Sequence, residues 1–100
     1  MVDIGTNGHR LWAAGMLDDL AESPFRDALK KVLASGNRTV EMDLTRVEAI
    51  TSACVGALVG FWIDLKTAGR ALVLSVSPHV RKTLDVTGVA AALLNARTRG

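Results

Sequence analysis

The chain has 100 residues, 49% of them hydrophobic and 22% charged, with a formal net charge of +2. That is one domain with a core large enough to need no staples, and it argues against a disordered chain. Lys and Arg are scattered and aromatics are only 4%, which argues against a nucleic-acid-binding stripe.

The single cysteine rules out an internal disulfide and fits a reducing compartment. The first residues lack the charged start, apolar run and cleavage site of a signal peptide. The most apolar stretch, Ala53 to Leu65, is shorter than the roughly 20 residues a membrane-spanning helix requires. The expected location is the cytoplasm, without membrane insertion.

Val2-Asp3-Ile4 alternates apolar and polar, then reaches Asn7-Gly8, two residues that tolerate the positive φ of a tight turn. This predicts a short edge strand, a hairpin turn and a second strand ending near Met16. Ser23-Pro24 predicts the start of a helix, with Ser as cap and Pro at the first helical position. Phe25, Ala28, Leu29, Val32 and Leu33 form one apolar face, and Gly36 stops the helix.

Thr39 to Leu44 alternates as a strand, and a polar turn is expected through Arg46. Val47-Glu48-Ala49-Ile50 then leads to Thr51-Ser52, two capping hydroxyls for a second helix that runs to about Thr67 and stops at Gly69. Ala71 to Val76 is continuously apolar, as in a strand buried on both faces. Ser77-Pro78 opens a third helix, ended by Gly88. A short last helix is expected from Val89 to Leu94, and residues 95–100 are expected to fray. The order β-β-α-β-α-β-α-α is that of a single α/β domain over residues 1–100, with right-handed crossovers and parallel strands.

The second helix is unusual because it has almost no polar face. Such a helix is buried or partnered, so part of it is expected to meet another protein. Ser52 stands where that helix starts, just beyond the carboxyl end of a strand, and a helix N-terminus accommodates a phosphate. The plainer reading is that Thr51 and Ser52 are ordinary caps. Cys54, in the first turn, reads as a small buried residue rather than a redox sensor. Asp43 reads either as orienting the Ser52 loop or as a strand-end acceptor. His9 and His79 lack metal-ligand spacing, so no metal or cofactor is expected. No catalytic constellation is present, and an enzyme is not expected.

Val40 to Leu44, Ile50 to Leu58, Lys66 to Leu74 and Ser77 to Gly88, with Gly15-Met16-Leu17-Asp18 before them, resemble in order the blocks of the STAS family, which includes anti-sigma-factor antagonists. The resemblance implies a small mixed sheet of four or five strands with helices on one side. It also implies a non-enzymatic regulator of bacterial transcription that binds an anti-sigma factor, a serine-protein kinase, until phosphorylation releases it. The phosphorylated position falls on Ser52, with Thr51 as the alternative. The implied contact surface is the start and face of the second helix: Thr51, Ser52, Val55, Gly56, Val59 and Trp62. Two residues depart from the pattern: Thr51 replaces the family's aspartate, and Cys54 replaces a common glycine. The family also implies an alternative: a constitutive subunit of a lipid-transporter ATPase complex or of a stressosome-like scaffold. Homodimerisation is a further expectation.

Overall fold

The computed structural model describes residues 2–90 and 93. Strand β1 (Val2–Asn7) and strand β2 (Arg10–Leu17) form the expected hairpin. The turn falls one residue later than predicted: Asn7 still pairs with Arg10, and Gly8 (φ 61) and His9 make the bend.

Helix α1 (Glu22–Ala34) begins before Ser23, so Ser23 is not its cap. The amides of Leu20 and Ala21 both donate to Asp18 Oδ1 at 3.1 Å, and this carboxylate nucleates the turn that leads into the helix. Pro24 therefore sits inside the first turn, where its missing N–H removes no helical bond. Phe25, Ala28, Leu29 and Val32 are the buried face.

Strand β3 (Thr39–Ile50) is one strand of 12 residues rather than a strand, a turn and a second run. Pairing with β2 jumps from Trp12–Asp43 to Ala14–Arg46, and again from Gly15–Val47 to Met16–Ala49. β3 therefore carries a surplus residue at Thr45 and another at Glu48. These are bulges, which bend a strand without ending it. Asp43 Oδ1 stabilises the first bulge, accepting from Thr45 N at 2.9 Å and from Thr45 Oγ1 at 2.6 Å.

Helix α2 (Ser52–Thr67), strand β4 (Ala71–Val76) and helix α3 (Pro78–Val86) follow as expected. Ser77 caps α3, accepting from Val80 N at 3.2 Å and donating to Val47 O at 2.6 Å. The short last helix expected at Val89 to Leu94 lies partly outside the described residues, and the tail 95–100 lies wholly outside them. Val89, Ala90 and Leu93 pack on the core.

The described sheet has four strands in the order β1-β2-β3-β4. The first pair is antiparallel and the other two are parallel. Leu11, Ala13 and Leu17 of β2, Val40 to Ile50 at their inner positions on β3, and Leu72 and Leu74 of β4 are buried under the helices. The other face carries Trp12, Glu41 and Asp43 and stays exposed. The helices thus lie on one side. Leu58, on α2, is fully buried, and burial of one such side chain stabilises by about 1.5–3 kcal/mol. Arg70 ties the start of β4 to the end of α1, donating to Leu33 O at 2.8 Å and to Asn37 O at 2.6 Å.

Candidate partner-binding surface

Strand β3 delivers its last residue to the carboxyl edge of the sheet. There Thr51 N donates to Leu17 O at 3.0 Å, fixing the entry to α2 beside the end of β2. Thr51 is extended (ψ 161), and its hydroxyl accepts from Cys54 N at 3.3 Å. Thr51 is therefore the cap, doing what a carboxylate there would do. Ser52 is the first helical residue and is exposed; among the described residues, its hydroxyl has no hydrogen-bond partner. The two hydroxyls that the sequence leaves equivalent have different roles.

Cys54 is fully buried, with Sγ 3.8 Å from Asp18 O. Burial pushes its thiol above its ordinary value, which suits an inert packing residue under the β2–α1 turn. That turn carries Asp18 and Asp19, with Glu22 opening α1 behind it, and between them Leu20, 89% exposed. Leu20 therefore stands on the same edge as Ser52, and sequence reasoning missed it. The available signal was an apolar residue among acids that falls outside the periodicity of α1.

Along α2, Cys54, Val55, Ala57, Leu58, Phe61 and Leu65 face the core. The expectation that Val55 lies on the contact face is corrected: it is 5% exposed and packs inward. The sheet and α1 cover most of the helix, which is why it tolerates an apolar circumference. The outward stripe is Ser52, Gly56, Gly60 and Ile63, flanked by half-buried Val59 and Trp62. Lys66 Nζ lies 5.1 Å from the Trp62 ring centroid. A Cβ built at Gly56 or Gly60 meets nothing within 4 Å, so neither glycine is required by packing within the domain. Together they flatten the surface into a groove of about 280 Å³ against α1, floored by Leu29 and Phe61 and rimmed by Arg26 and Lys30.

Asp43 does not reach this surface. It lies on the exposed face of the sheet, and its bonds from the Thr45 hydroxyl and amide hold its carboxyl below the ordinary range.

Among the described residues, a mixed four-stranded sheet, three helices on one face and a helix N-terminus exposed at the carboxyl edge define a STAS-type domain. The family model described as "Mlab, STAS domain" matches residues 1–95, and the chain belongs to that family. The fold is also that of solved anti-sigma-factor antagonists. An antagonist from Mycobacterium paratuberculosis is 20% identical, with a TM-score of 0.72 over 92% of this chain and 80% of that one. The antagonist SpoIIAA in its unphosphorylated form is 17% identical, with a TM-score of 0.67 over 100% of this chain and 88% of that one. The phosphorylated form of the Bacillus cell fate determinant SpoIIAA is 20% identical, with a TM-score of 0.65 over 89% of this chain and 85% of that one. No curated protein sequence matches the chain.

Proposed function

We propose that this domain is a non-enzymatic cytoplasmic regulator of the anti-sigma-factor-antagonist kind, switched by phosphorylation of Ser52 by a partner serine kinase. The unphosphorylated surface of Ser52, Gly56, Val59 and Trp62, extended by Leu20, binds the kinase-type partner. The observation that carries the reading is the division of labour at the start of α2. Thr51 is engaged in the cap, whereas Ser52, at an exposed helix N-terminus, presents a hydroxyl with no partner among the described residues. This supports Ser52 over Thr51 as the acceptor. A phosphate there adds about −1.5 to −2 charges beside an otherwise flat apolar stripe. Desolvating that charge disfavours the complex and leaves the core untouched.

A second reading is a constitutive subunit of a lipid-transporter ATPase complex or of a stressosome-like scaffold. It is favoured by Thr51, which keeps the cap but removes the family's carboxylate from the kinase's view. Affinity capture with Ser52→Ala and Ser52→Asp baits separates the two. Capture of an ATP-binding kinase-type regulator by the alanine bait alone supports the switch. Capture of the same ATPase or scaffold by both baits supports the constitutive subunit and rules out the switch.

A further inference from the structure

The two edges of the sheet differ. At β4, Leu72 is 2% and Leu74 0% exposed as whole residues, backbone included, so that edge is closed. At β1, Val2, Ile4 and Thr6 are only half-buried. The hairpin determines which backbone groups point outward. Asn7 and Arg10 close a two-residue turn, so they form a hydrogen-bonded pair, as do Gly5–Trp12 and Asp3–Ala14 by alternation. Val2, Ile4 and Thr6 therefore aim their N–H and C=O groups away from β2. The strand contains no proline, lysine or bulge, the usual devices that keep an edge unpaired.

Beside this edge, α1 and β1 enclose a hollow of about 340 Å³ lined by Ile4, Thr6, Pro24, Asp27, Ala28 and Lys31. Asp27 and Lys31 are exposed, one helical turn apart, and neither has an ion-pair partner among the described residues.

We infer that the β1 edge docks a second copy of this chain, β1 against β1 about a twofold axis, to make one continuous sheet. A register centred on Ile4 pairs Ile4 with its copy and Val2 with Thr6 of the other copy. It uses every outward backbone group and sets β-branched side chains opposite one another. Sliding the pairing toward the N-terminus opposes Asp3 to its own copy, which like-charge repulsion disfavours. The twofold also inverts α1, so Asp27 of each copy faces Lys31 of the other. That reciprocity selects an identical partner over an unrelated strand.

Sedimentation velocity on the full chain tests this. The expected result is a concentration-dependent monomer–dimer equilibrium. Lys31→Asp sets carboxylate against carboxylate twice and raises the dimer dissociation constant by about tenfold. Adding Asp27→Lys to Lys31→Asp restores opposite charges and the dimer. Ile4→Pro abolishes the dimer but leaves the monomer's circular dichroism intact, because the Ile4 N–H is not used by β2. A wild-type monomer at every soluble concentration overturns the inference, and so does a dimer indifferent to all three variants. Neither result bears on Ser52.

Discussion

The Thr51 hydroxyl accepts the Cys54 amide at 3.3 Å, whereas the hydroxyl of neighbouring Ser52 is exposed and has no partner among the described residues. The capping hydroxyl and the exposed hydroxyl thereby stand on adjacent residues. Thr51→Ala removes the cap and is expected to destabilise by about 1 kcal/mol. Ser52→Ala is expected to change stability by no more than about 0.5 kcal/mol. Urea unfolding midpoints check the order; a larger loss for Ser52→Ala would reassign the cap.

Gly56 and Gly60 lie mid-helix with open space where a Cβ would go. Gly56→Ala and Gly60→Ala are each expected to stabilise the isolated domain by about 0.5–1 kcal/mol, because alanine loses less backbone entropy in a helix. Both are expected to weaken partner binding by raising the flat stripe. Thermal unfolding and a binding titration on the same variants test the pair of effects; stabilisation without loss of affinity would place the partner elsewhere.

The Trp12 indole lies over Gly5 on the neighbouring strand, so closely that an added Cβ would collide with the ring. Trp12 is 43% exposed, so the ring can swing aside. Gly5→Ala is therefore expected to cost about 1 kcal/mol rather than to unfold the domain. In a Trp62→Phe background, where Trp12 is the only indole, its emission should shift to the red. An unchanged spectrum would show that the ring does not cover Gly5 in solution.

The two bonds from Thr45 hold the Asp43 carboxyl below its ordinary 3.8. A carboxylate with a depressed folded value stabilises above its unfolded value, and the contribution is lost as pH falls through the folded value. The loss therefore lies below about pH 3.8. Asp43→Asn is expected to flatten the decline of the urea midpoint in that range and leave its neutral-pH slope alone. An identical acid limb in both proteins would show the carboxylate to be uncoupled from folding.

Much of this architecture was legible. The alternation of Val2 to Ile4, the face from Phe25 to Val32 and the stops at Gly36, Gly69 and Gly88 each reflect a local rule that the fold obeys. β3 reads as broken because the polar Thr45-Arg46 pair interrupts its alternation, after which the buried residues Leu44, Val47 and Ile50 recur every third position. A bulged strand produces that spacing, and alternation cannot detect it. The Asp18 turn is masked in the sequence because Ser23-Pro24 offers a stronger local signal five residues on. The side on which Val55 falls is not legible, because a helix apolar on all sides carries no pattern that separates inside from outside; only its neighbours α1 and the sheet decide. Ser52 stands out by its place at the helix start and by the ordered family blocks, but which of the two hydroxyls holds the cap depends on the backbone at Thr51, which the sequence does not reveal.

Cys54 is the chain's only thiol, and it is buried beneath the turn at Asp18. An alkylating reagent therefore has one target and reaches it only when the first turn of α2 parts from the β2–α1 turn. Its labelling rate is a clock for that local opening, read in the unaltered protein. The residue that replaces the family's glycine thus gives this domain a native reporter two positions from Ser52, on which the mechanical effect of any change at that hydroxyl can be timed directly.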